Sequence, residues 1–430
     1  MKKTKFKLLI LCVIMIQSCF SQSDDFDDLS AYFLETYLGL GIPNLQVNYV
    51  QNLNAIKSAE SIKSQEAFFK NVKHQLSNIN KNDLNKYQRL DYDIMIYEVG
   101  LNLERLSLEK EWDYTTVLND SLSIYSIENG KEWYVYLLKR WVDAEVNPDD
   151  MFQFGLNEIE TVKTEMEKLQ QLSKLPKEAF NLHLTDSSFY YYNLKDIEKA
   201  FNNVKLQVAK SSSYVFPHIK DISDLKIAKG SNASLAQVPA YYNNSTFYFN
   251  YFEAPFNKRQ IDWIYIHEGI PGHHYQIMVN NIVKRTEIQQ LFWYPGFVEG
   301  WGAYVEYLGK DLGIYKTIYD EYGKWEWDLI RSVRVALDVG LNFYGWSDDK
   351  AMAFWKKHIA NQDDIARREI ARMKRWPAQV VTYKYGANQF TDMLSLAKQK
   401  ENFNYKKFHL ELLSHGDIPL SIVNIKDLIF

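Results

Sequence analysis

The chain has 430 residues, of which 46% are hydrophobic and 15% aromatic, so it is long enough to bury a large core and too apolar for a disordered polymer. Its formal net charge of −4 is mildly acidic, which argues against nucleic acid as a partner. The two cysteines, Cys12 and Cys19, both lie near the N-terminus, which excludes a disulfide scaffold for the folded domain.

The first 18 residues have the parts of an export signal. Lys2 to Lys7 carry positive charge, residues 8–16 are apolar, and small or polar residues follow up to Cys19. A helix needs about 20 residues to span a bilayer, so this short run predicts a signal peptide over residues 1–18 and not an anchor helix. Loss of its four lysines would lower the net charge of the chain from −4 to −8.

Residues 16–19, Ile-Gln-Ser-Cys, resemble a bacterial lipobox, in which the cysteine is lipidated after cleavage. We therefore expect a lipoprotein of the bacterial cell envelope, in the periplasm or at the outer membrane, that meets the membrane only through lipid on Cys19. An ordinary secretory signal that happens to contain a cysteine is the alternative. The polar and acidic residues 19–28 predict a solvated tether.

Most of the chain has the apolar period of an α-helix. Apolar residues recur at intervals of three and four along residues 87–101 and 152–169, and Asn147-Pro148-Asp149 is a helix-start signal before the second segment. We therefore predict a mainly α protein. A Gly- and Ser-rich patch at 229–234 predicts a boundary there.

This boundary would divide an N-terminal helical lobe, residues 29–228, from a second part, residues 229–430, that contains the motifs described below. A small β element is expected at the start of the second part, because residues 246–251 are rich in β formers and follow the turn signal Asn243-Asn244. An exposed edge of this strand would be able to pair with an extended peptide. A strand that merely closes a small sheet is the alternative.

Residues 264–276, Ile-Tyr-Ile-His-Glu-Gly-Ile-Pro-Gly-His-His-Tyr-Gln, contain the residue types of a hydrolytic zinc site. The usual zincin pattern is His-Glu-x-x-His, but here the fourth residue after His267 is Pro271. Proline has no N–H for the carbonyl of His267, so the helix must kink or bulge within this stretch. Gly272 allows the backbone to turn there.

Helix geometry leaves the second histidine ligand open. On an ideal helix His273 lies about 120° around the axis from His267, whereas His274 shares its face but lies about 10 Å further along. Either imidazole is therefore a candidate.

The third ligand has a clearer position. In residues 297–306, Phe-Val-Glu-Gly-Trp-Gly-Ala-Tyr-Val-Glu, the side chains of Glu299, Ala303 and Glu306 lie on one side of a helix. If that helix packs against the histidine segment, Glu299 faces the metal. A glutamate ligand on a second helix is the gluzincin arrangement.

The chain resembles the bacterial DUF885 family, which belongs to the broader zincin peptidase group. The resemblance covers most of the mature chain and is carried by HEGIPGHHYQ, FVEGWGAYVE, PDDMFQFGLNEIETVKTEMEKL (148–169), RVALDVGLNFYGWSDDKAMAF (334–354), WPAQVVTYKYG (376–386) and FHLELLSHGDIPL (408–420). It implies a large helical zincin-like domain with a catalytic cleft, and a metallohydrolase activity.

The resemblance also implies that the histidine directly after Pro-Gly, His273, is the ligand in preference to His274. The chain departs from the family pattern at Gly302, at Asn342, where a histidine is common, and at Ala378, where glycine is more frequent. The departure at Asn342 affects any substrate contact made through that histidine, not the metal site.

These assignments predict a catalytic mechanism. Zn²⁺ held by His267, His273 and Glu299 would keep a fourth position for water, whose pKa it lowers towards about 7. Glu268 would take the proton of this water, and the hydroxide would attack a peptide carbonyl.

A second donor is expected for the developing oxyanion. Tyr383, in the family-like stretch at 376–386, is the first candidate and His409 is the second. Arg334 and Arg375 are candidates for pairing with a substrate carboxylate, which would imply an exopeptidase.

The sequence therefore predicts a zinc peptidase that cleaves exported or imported peptides. The alternative is a non-catalytic, metal-binding surface lipoprotein that binds peptides or a partner. Structural zinc sites are usually closed by four protein ligands, often cysteine, and the mature domain has no cysteine ligand to offer. A glutamate directly after a ligand histidine has no structural purpose, which favours the enzyme.

Overall fold

The computed structural model describes residues 24–43, 46–220, 222–232, 238–251 and 255–423. The chain forms two compact units. The first comprises Met1–Asn119 and Arg285–Trp293, and the second comprises Asp120–Lys284 and Tyr294–Phe430. Residues 229–234 lie within the second unit, and the division of the chain at that patch stays a prediction.

The protein is mainly helical, which confirms the prediction from the apolar period. Residues 24–39 form helix α1. The other helices are α2 (Tyr49–Asn54), α3 (Ala59–Ser77), α4 (Lys86–Lys110), α5 (Gly130–Val142), α6 (Pro148–Leu172), α7 (Lys177–His183), α8 (Leu194–Val215), α9 (Ile261–Glu268), α10 (His273–Ile282), α11 (Glu287–Leu291), α12 (Pro295–Glu306), α13 (Ile318–Asn342), α14 (Asp348–His358), α15 (Asp363–Arg375), α16 (Val381–Ala397) and α17 (Tyr405–Leu413). Single turns of 3-10 helix occur at Lys81–Asp83, Ile124–Ser126, Ser187–Phe189 and Lys258–Gln260.

Side-chain caps fix several helix starts at the residues that the sequence indicates. The carbonyl oxygen of the Asn147 side chain accepts from the backbone N–H of Asp150, and the hydroxyl of Ser347 accepts from that of Lys350. Among the helices that the structure describes, none is both long and apolar enough to cross a membrane.

Helix α1 belongs to the first unit. Residues 24–28 belong to the predicted tether, yet they are helical, and Phe26 is buried. The ring of Phe26 lies 6.3 Å from that of Tyr92 on α4. An apolar residue at this position gains from packing on α4, which explains why the chain is ordered there despite its acidic neighbours. Cys19 and the predicted signal peptide lie outside the described residues.

The second unit contains a small sheet before the histidine segment. Its three strands are β2 (Lys226–Lys229), β3 (Ala240–Asn243) and β4 (Thr246–Phe249). A separate two-stranded sheet is formed by β1 (Tyr190–Tyr191) and β5 (Phe256–Asn257), which pair antiparallel. The order is β2-β4-β3, with β4 parallel to β2 and antiparallel to β3.

The predicted strand at residues 246–251 is thus present as β4, and a tight turn with positive φ at Asn244 and Ser245 precedes it. The suggestion that its edge pairs with a peptide is wrong, because β2 and β3 already use the hydrogen-bonding groups on both sides of β4. The strand completes a small sheet.

Helices α12 and α16 cross at two glycines. A Cβ atom added to Gly300 would lie 2.5 Å from the Cα of Gly386, so neither position accommodates a side chain without separating the helices. This close crossing holds Tyr383, one turn before Gly386 on α16, beside the helix that carries Glu299.

A buried charge cluster also fixes α16. The Lys384 ammonium donates to the Asp328 carboxylate on α13, with a distance of 3.1 Å, and to the Tyr307 hydroxyl, at 2.8 Å. Burial alone would raise the pKa of Asp328, but Lys324 and Lys384 hold it well below the usual range. Because each charge has a buried partner, the cluster fixes the helix carrying Tyr383 without an isolated charge in the core.

Candidate metal centre

The histidine segment is divided between two helices. Helix α9 ends at Glu268 and α10 begins at His273, and the break between them contains a cis peptide bond between Ile270 and Pro271. A Cβ atom at Gly272 would overlap the carbonyl oxygen of His267, so the start of α10 lies directly against the end of α9. The kink expected at Pro271 is therefore a complete break of the helix.

This break brings His273 next to His267. The two imidazole rings meet edge to face, with centroids 4.8 Å apart and an interplanar angle of 89°. Together with Glu299 on α12 they form a group in which one ligand atom from each residue lies within 4.8 Å of the others. His273 Nε2 and Glu299 Oε2 are 3.5 Å apart.

These spacings fit a small metal ion. Two nitrogen or oxygen ligands at the usual distances from tetrahedral zinc are about 3.4 Å apart, close to the separation of the His273 and Glu299 atoms. The donor set of two imidazoles and one carboxylate is typical of a catalytic zinc site. Within the described part of the chain, His267, His273 and Glu299 are the histidine, cysteine or carboxylate side chains that lie close enough together, as a group of three, to share a metal ion.

A carboxylate and a guanidinium orient His267. Its Nδ1 donates to Glu306 Oε1 at 2.7 Å, and Glu306 Oε2 accepts from Arg331 Nη1 at 2.6 Å. Burial alone would raise the pKa of Glu306, but Arg331 and the hydrogen bond from His267 hold it below the usual range. The ionised carboxylate keeps the proton on Nδ1 and leaves Nε2 as the ligand atom.

Glu306 lies seven residues after Glu299 on the same face of α12, so the one-sided pattern in the sequence contained both the candidate ligand and its support. Its partner Arg331 comes from α13, and no local signal in the sequence relates the two residues. His273 has no comparable hydrogen bond. Its Nδ1 is buried and has no hydrogen-bond partner among the described residues.

The charges around His273 favour its protonated form when no metal competes. Burial lowers the pKa of this imidazole, but Glu299, followed by Glu268 and Glu306, raises it above the ordinary value. Glu268, the last residue of α9, is half-buried. The carboxylates around His273 favour a proton on its imidazole, and the same negative charges favour a divalent cation where that proton would lie.

His274 faces away from this group. Its Nε2 donates to the carbonyl of Ser223 at 2.8 Å, and its Nδ1 accepts from the Tyr242 hydroxyl at 3.1 Å. Burial lowers its pKa, which agrees with a neutral ring. Both nitrogens are therefore occupied by protein groups, and His273, not His274, lies with His267 and Glu299 in the candidate metal group.

Tyr383 lies beside the metal group. Its ring stacks on that of His267, with centroids 6.5 Å apart and an interplanar angle of 27°. Its hydroxyl accepts from Gln379 Nε2 at 3.3 Å and from Arg372 Nη2 at 3.5 Å. Burial raises the pKa of the phenol, so the hydroxyl keeps its proton and is free to donate it to another acceptor.

His409 occupies a different environment. Its Nε2 is hydrogen-bonded to the Tyr304 hydroxyl at 2.8 Å, its Nδ1 to the carbonyl of Val215 at 2.9 Å, and its ring stacks on Phe216 at 4.2 Å. Burial lowers its pKa to about 3. The structure therefore places His409 in an aromatic core, as a neutral packing residue with both nitrogens engaged.

The two arginines considered for substrate binding also differ. Arg375 is 44% exposed and lies 3.7 Å from a carboxylate oxygen of Asp120. Arg334 is buried and donates to Glu369 at 2.6 Å. Arg372 on α15, which the sequence did not single out, contacts Tyr383 on α16, and nothing in the local sequence indicates this contact.

Two of the three departures from the family pattern have a structural explanation, at Gly302 and Asn342, whereas the backbone at Ala378 would suit glycine better. A Cβ atom at Gly302 would lie 2.9 Å from Cε1 of His267 and 3.0 Å from Cε1 of His273, so glycine leaves room for both imidazoles. Asn342 is buried and donates to the carbonyl of Met373 at 3.1 Å. Ala378 has a φ of 70°, in the left-handed region that favours glycine.

Two solved structures, each described as a "putative lipoprotein", have a similar fold. One, from Colwellia psychrerythraea, is 20% identical, with a TM-score of 0.64 over 86% of this chain and 68% of that chain. The other, from Shewanella oneidensis and of unknown function, is 16% identical, with a TM-score of 0.57 over 92% and 75%. A comparison with curated proteins gives no significant match. The profile of the family described as "Bacterial protein of unknown function (DUF885)" matches residues 111–426, and the chain belongs to this family.

Proposed function

We propose that the protein is a zinc-dependent hydrolase that cleaves peptide bonds, with His267, His273 and Glu299 as the metal ligands. The observation that carries the proposal is the spacing of these three side chains, in particular the 3.5 Å between His273 Nε2 and Glu299 Oε2. The hydrogen bond from His267 to Glu306 supports it, because such a bond fixes the tautomer and orientation that a metal ligand needs.

Access to solvent favours a catalytic site over a purely structural one. The side chain of Glu299 is 20% exposed, so the group lies near the surface on the side of this carboxylate. Structural zinc sites are usually closed by a fourth protein ligand. In the part of the chain that the structure describes, the metal group contains three candidate ligands.

Bound zinc would supply a Lewis acid that polarises a substrate carbonyl and lowers the pKa of water to about 7. The remaining steps belong to side chains of this protein. Glu268, directly after a ligand histidine and half-buried, takes the proton from the attacking water and delivers it to the leaving amine. Tyr383 donates a hydrogen bond to the developing oxyanion, because its hydroxyl keeps a proton while it accepts from Gln379 and Arg372.

We further propose that the protein is an envelope lipoprotein anchored through Cys19. The Ile-Gln-Ser-Cys sequence and the lipoprotein descriptions of the two similar structures support this location. Such an anchor would place the peptidase where exported or imported peptides pass.

The decisive experiment separates metal binding from chemistry. Glu268→Gln keeps the size and hydrogen bonding of the side chain but removes the base, so zinc should stay near one ion per chain while turnover of a peptide pool falls by about 100-fold or more. Zinc is measured by elemental analysis of the purified variant, and cleavage by mass spectrometry.

Glu287→Gln, at the start of α11 in the other unit, is the matched control and should retain both zinc and activity. A chelator should abolish the activity of the unchanged protein, and added zinc should restore it. Full activity of Glu268→Gln contradicts the assigned role. A zinc-loaded protein that cleaves no peptide contradicts the proposed function and leaves a metal-binding surface lipoprotein.

A further inference from the structure

A positively charged cavity of about 470 Å³ lies in the second unit, between α13, α15 and the segments that flank the small sheets. Three arginines, Arg334, Arg368 and Arg372, line it together with one carboxylate, Glu369. One carboxylate cannot neutralise three guanidinium groups. The cavity is therefore complementary to an anion.

Arg334 is the best-placed donor in this cavity. It is only 3% exposed, its Nη2 donates to Glu369 at 2.6 Å, and its guanidinium lies 5.2 Å from the ring centroid of Trp327. Its Nε is buried and has no hydrogen-bond partner among the described residues. A buried donor without a partner is costly, so this guanidinium has hydrogen-bonding capacity that its protein neighbours do not use.

The cavity is adjacent to the metal group. Arg372 lines the cavity, and its Nη2 lies 3.5 Å from the hydroxyl of Tyr383. The ring of Tyr383 in turn stacks on the candidate ligand His267. A substrate with its scissile carbonyl at Tyr383 would therefore extend its neighbouring residue towards the arginines.

We propose that this cavity binds the carboxylate at the C-terminus of a peptide substrate, which would make the protein a carboxypeptidase. The inference rests on the proposed function for the cleavage step. Arginine presents a planar fork of donors that matches a carboxylate, and a buried, preorganised fork distinguishes a free acid from an amide. The aromatic rings of Trp327, Tyr251 and Phe256 provide apolar walls for a terminal side chain.

Ligand binding tests this inference without any catalysis. Calorimetry with metal-free protein would compare N-acetylphenylalanine with N-acetylphenylalaninamide, which differ only in the terminal group. We expect the acid to bind about 10-fold to 100-fold more tightly, the range of a hydrogen-bonded charge pair. A third probe, the terminal amide of N-acetylglutamic acid, carries its carboxylate on the side chain and should bind as weakly as the neutral amide.

Two adjacent arginines on α15 provide a matched pair of variants. Arg368→Gln, which changes a cavity residue, should reduce the preference for the acid, whereas Arg367→Gln should not, because Arg367 is exposed and pairs with Asp364. The double variant Arg334→Gln with Glu369→Gln removes the buried pair without leaving one charge alone and should reduce the preference, because the buried guanidinium is lost. Its thermal melting curve checks that it is folded.

Cleavage of paired peptides with a free or an amidated C-terminus completes the test, since it separates the two proposals. Cleavage with no preference for the free acid, or equal binding of the first two probes, overturns the carboxylate site while the peptidase stands. If the probe with a side-chain carboxylate binds tightly, the cavity recognises acidic side chains and the proposal of a carboxypeptidase is overturned. Preferential binding of the free acid by a protein that cleaves nothing supports the carboxylate site and contradicts the proposed function.

Discussion

At the scale of single residues, backbone conformation identifies Ala378 as a position where glycine would fit the backbone better. Ala378 has a φ of 70°, a conformation that costs a residue with a Cβ atom about 1 kcal/mol or more. Its backbone N–H donates to the buried carboxylate of Asp338 at 2.9 Å, a contact that holds this conformation in place. The residue joins α15 to α16, the helix that carries Tyr383.

Ala378→Gly should therefore cost little stability. Relief of the left-handed conformation contributes about 1 to 2 kcal/mol, which is offset by about 0.4 to 1 kcal/mol from the freedom of glycine in the unfolded chain and about 0.8 kcal/mol from the lost buried methyl group. We expect the free energy of unfolding in urea to change by less than about 0.5 kcal/mol. Ala387→Gly, buried inside α16, is the control and should lower it by about 2 kcal/mol, because it loses both helix propensity and a buried methyl group. If both variants lose stability equally, the assigned φ at residue 378 is wrong.

At the scale of elements, the metal group depends on how closely α12 approaches the break between α9 and α10. Glycine at position 302 allows this approach, since the two imidazoles lie where a Cβ atom would make contacts of about 3 Å. Periodicity in the sequence predicts each helix separately, because the apolar period is local. It does not predict the approach between them, which depends on which small residues face each other after folding.

Gly302→Ala should weaken metal binding without unfolding the protein. The added methyl group would displace His267 or His273 by a few tenths of an ångström, and misplaced ligands typically cost about 10-fold to 100-fold in affinity. Competition with a chromophoric chelator would measure the zinc affinity. Gly100→Ala on α4, where a Cβ atom would contact nothing within 4 Å, should leave that affinity unchanged. Equal affinity in the two variants would contradict the tight approach at position 302.

The choice between the two histidines shows what helix geometry alone could not provide. Ideal helix geometry applies only along an unbroken helix, and the chain leaves helical geometry between Glu268 and His273. The break turns His273 towards His267 and leaves His274 bonded to Ser223. Arg331 could not have been identified because its contact with Glu306 joins residues from different helices. His409 and Tyr383 were comparable candidates, and only the packing separates them.

At the scale of the whole molecule, a lipid anchor at Cys19 would determine where the site acts. The described residues begin at residue 24, in a helix whose Phe26 is buried, so the link between Cys19 and the folded part is short. Lipid on Cys19 would therefore hold the first unit close to a membrane surface.

Cys19→Ala should leave an unprocessed precursor or release soluble protein. Cell fractionation followed by mass spectrometry of the N-terminus measures both results. Cys12→Ala is the matched control, because this cysteine lies in the apolar run of the signal and should be dispensable. Normal cleavage and membrane association of the Cys19 variant would contradict the lipid anchor.

The pair formed by Glu306 and Arg331 has a consequence for the order in which the protein matures. Three helices, α9, α12 and α13, meet at this carboxylate, and Arg331 balances its charge whether or not a metal is present. Small zinc domains remain unfolded until the ion arrives, because nothing else joins their ligands. Here the contacts of Glu306 with His267 and Arg331 would hold one ligand in place without an ion. The chain would therefore fold first and acquire its metal afterwards, so that metal supply, and not folding, would switch on the site.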